Sequence, residues 1–127
     1  MARTVLVIDD EPDVQMYLAT LLEKEGFTVV TAGDGEEGFT RAVESKPDLI
    51  FLDIMMPKKT GIMLYRRIRK EPAIGAVPVV ILTGLSQYRT FFAQDFEQIP
   101  HPEAFVEKPP NPEELVALAR RLTGHSA

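Results

Sequence analysis

Apolar positions along this chain fall into two alternating patterns. Residues 5–8, 28–32, 49–52, 77–83 and 104–106 form short runs, rich in β-branched side chains and apolar nearly throughout. Such runs predict strands covered on both faces. Between them, apolar residues recur at helical spacing. Val14, Tyr17, Leu18, Leu21 and Leu22 define one face of a first helix, which Gly26 stops. Phe39, Ala42 and Val43 mark a second helix ending before Pro47, Leu64 and Ile68 a third, and Tyr88, Phe91 and Phe92 a fourth. Leu115, Leu118, Ala119 and Leu122 mark the last, with Asn111 as its cap, Pro112 at its first position and Glu114 three residues beyond the cap. Gly33-Asp34-Gly35 reads as a turn and residues 56–61 as a loop. Five strand–helix alternations predict an α/β chain whose mainly parallel sheet is covered by helices on both faces.

Composition narrows this picture without redirecting it. The chain has 127 residues, the size of one domain spanning 1–127. It has no cysteine, so disulfides and thiolate metal sites are excluded. No apolar run approaches the length that spans a bilayer, and the run at residues 5–8 is too short for the core of a signal peptide. A cytoplasmic location without membrane contact is expected. The net charge of −5 offers no broad basic surface, so nucleic-acid binding by this domain alone is not expected.

In parallel α/β sheets the chemistry collects at the carboxyl ends of the strands. The first strand ends in Asp9-Asp10-Glu11, the third in Asp53, the fourth in Thr83-Gly84 and the fifth in Glu107-Lys108-Pro109. Two carboxylates about 5 Å apart repel by roughly 3 kcal/mol at an effective dielectric near 20. Asp9, Asp10 and Asp53 together are therefore unstable unless a cation or protons relieve them. An all-oxygen donor set favours Mg²⁺. A carboxylate beside Mg²⁺ can attack phosphorus, with Lys108 and Thr83 to bind phosphoryl oxygens and Gly84 to leave room for the group.

VLVIDDEP at 5–12, LIFLDIMMPKKTG at 49–61, VVILTG at 79–84 and VEKPP at 106–110 occur in this order and spacing. On these motifs the sequence resembles the receiver domain of two-component response regulators, over essentially its whole length. The resemblance implies a three-layer, flavodoxin-like (βα)5 fold with strand order 2-1-3-4-5. It implies phosphorylation of Asp53 by a histidine kinase or histidine phosphotransfer protein. Asp10 and Asp53 would ligate Mg²⁺ directly with the Met55 carbonyl, and Asp9 through water. Thr83 and Lys108 would contact the phosphoryl group, Phe105 would be the switch aromatic, and the Lys108–Pro109 bond would be cis. The switched face (fourth helix, fifth strand, last helix) would then change its affinity for a downstream protein or output domain. The chain itself would be a monomer or weak homodimer.

Two features depart from the family. Met55 and Leu85, two residues past Asp53 and Thr83, are apolar and cannot orient an attacking water, so autodephosphorylation is expected to be slow. Residues 88–96 are unusually aromatic, and residues 98–103, with Pro100 and Pro102, replace the family's usual run before strand five. Two other functions compete with the switch. A phosphate-independent pseudo-receiver is disfavoured by the complete set Asp10, Asp53, Thr83 and Lys108. A phosphatase with an aspartyl nucleophile would carry a second Asp where Met55 stands, and no Gly-rich nucleotide loop is present; an enzyme is not expected. No output domain follows the last helix within these residues, as expected either of a stand-alone receiver or of a receiver belonging to a longer chain.

Overall fold

A computed structural model describes residues 3–54, 56, 60–83, 102–108 and 110–124, with Thr60 and Thr83 described for their backbone alone. Five strands, β1 (Thr4–Ile8), β2 (Thr28–Ala32), β3 (Leu49–Asp53), β4 (Val79–Thr83) and β5 (Ala104–Glu107), form one sheet. All neighbours are parallel and the order is β2-β1-β3-β4-β5. This is the order that the resemblance implies. Four helices are described: α1 (Pro12–Lys24), α2 (Gly35–Ser45), α3 (Thr60–Lys70) and α4 (Pro112–Thr123). The expected helix around Tyr88, Phe91 and Phe92, and the rest of residues 84–101, lie outside the described residues.

Successive strand residues point to opposite faces, so one apolar run feeds two cores. Leu6, Ile8, Ile50, Leu52, Val79 and Ile81 pack with Ala42 of α2 and with Leu64, Tyr65 and Ile68 of α3. Val5, Val7, Leu49, Phe51, Val80 and Leu82 pack with Leu18 and Leu22 of α1 and with Leu115 and Ala119 of α4. This explains why the runs carry no polar alternation. The edge strands are the exceptions, with only Ala32 of β2 and Val106 of β5 buried. Tyr17, expected on the apolar face of α1, is exposed. At 100° per residue it lies well to one side of the stripe centred on Val14, Leu18 and Leu22.

Local chemistry sets the element ends. Gly26 has φ 94° and turns the chain out of α1. The Asp34 Oδ1 accepts the Glu37 N–H at 2.8 Å, and the Glu37 side chain accepts the Gly33 N–H at 2.7 Å, a reciprocal cap that starts α2. Asn111 caps α4 by accepting the Glu114 N–H at 3.1 Å, as its sequence predicts. β1 begins one residue earlier than expected, at Thr4, β5 ends one later, at Glu107, and two further boundaries move. β4 begins at Val79 rather than Val77, because the Val77 N–H bonds back to Ile74 and Pro78 has no N–H to donate. α3 begins at Thr60, inside the stretch expected to be loop.

At the amino edge of the sheet, Arg69 acts as a buried clamp. Its guanidinium donates to the Val77 carbonyl at 2.5 Å and to Glu103 at 2.8 Å, while the same Glu103 oxygen accepts the Val79 N–H at 2.6 Å. The starts of β4 and β5 are thereby held together, which fixes the register of the strand that leads to Lys108.

Candidate functional site

The opposite, carboxyl edge gathers the acids. β1 runs into Asp9, which is 0% exposed, and β3 ends on Asp53, which is 1% exposed. Ile8 pairs with Leu52, so these two residues stand side by side between the two central strands. This is where the strand order reverses, the crevice in which doubly wound sheets bind ligands. Two immobile carboxyl groups in so dry a place need partners. Asp9 finds them in the Glu11 N–H, 2.9 Å from its Oδ1, and in the Lys108 Nζ, 2.9 Å from its Oδ2. The same ammonium lies 3.4 Å from an Asp53 oxygen and 3.9 Å from Glu11. Lys108 comes from the end of β5, so its long side chain spans the β4 end to reach β1 and β3. Burial works against the Lys108 charge. The hydrogen bond to Asp9 and the charges of Asp53, Asp9 and Glu11 outweigh it, and the lysine pKa stands above its usual value.

Oxygen atoms of Asp9, Asp10, Glu11 and Asp53 all lie within 4.8 Å of one another. Four carboxyl groups thus meet one ammonium. Each pair of charges at that spacing repels by roughly 3 kcal/mol at an effective dielectric near 20. Hard oxygen donors on two buried and two exposed residues, open on one side to solvent, fit a divalent cation such as Mg²⁺ that keeps part of its water shell. Glu11, absent from the metal residues expected from sequence, joins the cluster because the tight turn after β1 brings it back over Asp9.

The profile of the response regulator receiver domain family matches residues 5–120. This chain belongs to that family. Among curated relatives, the DNA-binding dual master transcriptional regulator RpaA of Synechocystis is 36% identical over 118 residues, covering 93% of this chain and 48% of that protein. The receiver thus spans about half the length of such regulators. Among solved structures, the chemotaxis protein CheY4 of Vibrio cholerae aligns with a TM-score of 0.85 at 26% identity, covering 96% of this chain and 99% of that one. The receiver domain of a sensor histidine kinase from Pseudomonas aeruginosa aligns with a TM-score of 0.84 at 25% identity over 98% of this chain and 99% of that one. That structure holds a magnesium ion coordinated in its active site cleft. No helix among the described residues of this receiver is long and apolar enough to cross a membrane.

The receiver fold brings Asp9, Asp10, Asp53 and Lys108 together at one edge. The backbone of Thr83 ends β4 on the same edge, opposite Glu107. Phe105 is half-buried in β5, beside Ile81, against the core under α2 and α3. Met55, Gly84 and Pro109 lie outside the described residues, and with them the Lys108–Pro109 bond, Leu85 and the aromatic stretch at residues 88–96.

Gly61 shapes this edge through its missing side chain. A Cβ there would stand 2.6 Å from the Asp53 carbonyl oxygen and 2.8 Å from the Ile54 Cα. Both are backbone atoms that cannot step aside without moving the end of β3 itself. Glycine therefore lets the first turn of α3 rest directly on the residue that carries the Asp53 carboxylate. Gly61→Ala is expected to lower stability by about 1–3 kcal/mol and to shift the amide resonances of Asp53 and Ile54. Urea unfolding followed by circular dichroism measures the first effect; a wild-type midpoint would contradict the contact.

Proposed function

We propose that this receiver is a phosphoryl-accepting signalling switch in which Asp53 is the acceptor. The observation that carries the reading is the pairing of a buried strand-end carboxylate, Asp53, with the Lys108 ammonium 3.4 Å away inside an acidic cluster. A structural ion pair alone would not need Asp10 and Glu11 drawn into the same small volume.

The donor is a phosphohistidine on a histidine kinase or phosphotransfer protein. An Asp53 carboxylate oxygen attacks phosphorus, the O–P bond forms, the P–N bond breaks and its electron pair stays on the imidazole nitrogen. Lys108 binds a phosphoryl oxygen with its ammonium, exchanging part of its contact with Asp9 and Asp53 for the new charge. Thr83, the last residue of β4, and Gly84, next in sequence, would provide a hydroxyl and space for the group. Asp9, Asp10 and Asp53, with the Met55 carbonyl, would hold Mg²⁺, which when bound offsets the charge on the phosphoryl oxygens. Asp9, already committed to Lys108 and the Glu11 N–H, would act on the cation through water.

The phosphoryl charge biases a two-state equilibrium. Thr83 turns toward the new group, and Phe105, half-buried two strand positions before Glu107, changes rotamer. The surface of β5 and α4 then alters its affinity for a downstream protein or output domain in the cytoplasm. The chain acts as a monomer or weak homodimer. RpaA is a DNA-binding regulator; here DNA binding would belong to such an output rather than to this acidic domain.

Incubation with Mg²⁺ and a small acyl phosphate, followed by intact-mass measurement, tests the reading. One phosphoryl group per chain is expected, and none when the metal is chelated. An unmodified wild type would instead mark a phosphate-independent binding module. Once loaded, the domain should lose phosphate slowly, because Met55 and Leu85 offer an attacking water no hydrogen bond. Timing the decay after donor removal checks this, and loss within seconds would contradict it.

A further inference from the structure

The side chain of Gln15 ties two strand ends to α1. Its Nε2 donates to the main-chain carbonyl of Asp9 at 2.6 Å and to that of Ala32 at 3.2 Å. The Ala32 carbonyl also accepts the Asp9 N–H at 3.0 Å, so the ends of β1 and β2 and the end of the first turn of α1 share one small hydrogen-bonded ring. The main-chain N–H of Gln15 donates to the Glu11 carbonyl at 3.1 Å. One residue therefore grips the acidic turn 9–11 at both ends. The Asp9 carbonyl lies in the planar peptide unit that joins Asp9 to Asp10. Holding that oxygen constrains the plane, and the plane, together with the Asp10 φ, sets the direction in which the Asp10 side chain leaves the backbone. Asp10 is exposed, so packing does little to direct it.

We propose that Gln15 is a positioning residue for the acidic edge: it aims Asp10 toward Asp9 and Asp53 and thereby sets the affinity for Mg²⁺. The proposal rests on the reading above that these acids hold the metal. Residues that orient metal ligands without touching the metal typically contribute 10–100-fold in affinity. Gln15→Met keeps the length and removes both donors; Gln15→Asn keeps the amide but is one methylene too short to meet both carbonyls. Ala42→Gly, buried in α2 away from the acids, loosens the fold without touching the turn.

The experiment is an NMR titration of the folded 127-residue chain with MgCl₂, with urea midpoints measured in parallel. Gln15→Met is expected to weaken Mg²⁺ binding about tenfold. Gln15→Asn should fall between it and wild type, Ala42→Gly should bind as wild type does, and the metal-free Asp10 amide should shift in both Gln15 variants. Wild-type affinity in both Gln15 variants would overturn the proposal, as would equal weakening in Ala42→Gly. A wild type that binds no Mg²⁺ would instead remove the metal-site reading, and this proposal with it.

Discussion

Asp53→Asn should take up no phosphoryl group under conditions that load the wild type fully. The carboxamide keeps the shape of the side chain at the end of β3, where it is 1% exposed, but it has no anionic oxygen to attack phosphorus. The variant should remain folded. Removing one of four clustered carboxyl groups relieves repulsion, and the amide oxygen can still face the Lys108 ammonium. Its unfolding midpoint is therefore expected at or above that of the wild type, while its Mg²⁺ affinity falls. Intact mass after incubation with a small acyl phosphate gives the first result and thermal unfolding the second. Residual stoichiometric loading of the variant would move the acceptor to Asp9 or Asp10 and contradict the assignment.

Lys108→Met should damage both chemistry and stability. Deleting one preorganised donor to a charged reaction centre typically slows transfer by about 10²–10³-fold. Stability should drop by about 1–3 kcal/mol, because Asp9, fully buried, loses the partner 2.9 Å from its Oδ2. Mg²⁺ should restore more stability to the variant than it adds to the wild type, since the cation replaces the missing positive charge. In the wild type the Lys108 contribution also has a pH signature. Its folded-state pKa is raised, so the contribution is complete below pH about 10.5, the ordinary lysine value, and is lost as pH rises through the folded-state value. Stopped-flow loading and unfolding midpoints with and without Mg²⁺ separate these effects. Wild-type rates in the variant would show that the ammonium serves only as an ion-pair partner.

Much of this architecture is legible from the chain because two-sided burial writes itself as uninterrupted apolar runs. Residues 49–52 read as a strand for the same reason that Leu49, Ile50, Phe51 and Leu52 are each fully buried. Asp53, Asp9, Asp10 and Lys108 were legible because parallel topology sends the residue after each run to one edge. Gln15 was not. It follows Val14 on a helix whose apolar stripe is the only periodic signal, and its partners are main-chain carbonyls that leave no mark in sequence. Gly61 was visible as a glycine but read as loop, since its role depends on how closely α3 approaches β3. Arg69 gave no signal either: a charged residue in the last turn of a helix ordinarily reads as a solvated end, yet here Val77 and Glu103 enclose it. In each case the missing information is tertiary distance rather than residue type.

The most direct test of the account is to locate the phosphoryl group. An acyl phosphate, unlike a phosphoester or a free carboxylate, is reduced by borohydride to an alcohol, which converts aspartate to homoserine. The chain loaded in the presence of Mg²⁺, reduced and sequenced by tandem mass spectrometry, should carry homoserine at position 53 and aspartate at positions 9 and 10. Homoserine at either of those positions, or aspartate retained at 53 in a fully loaded sample, would contradict it.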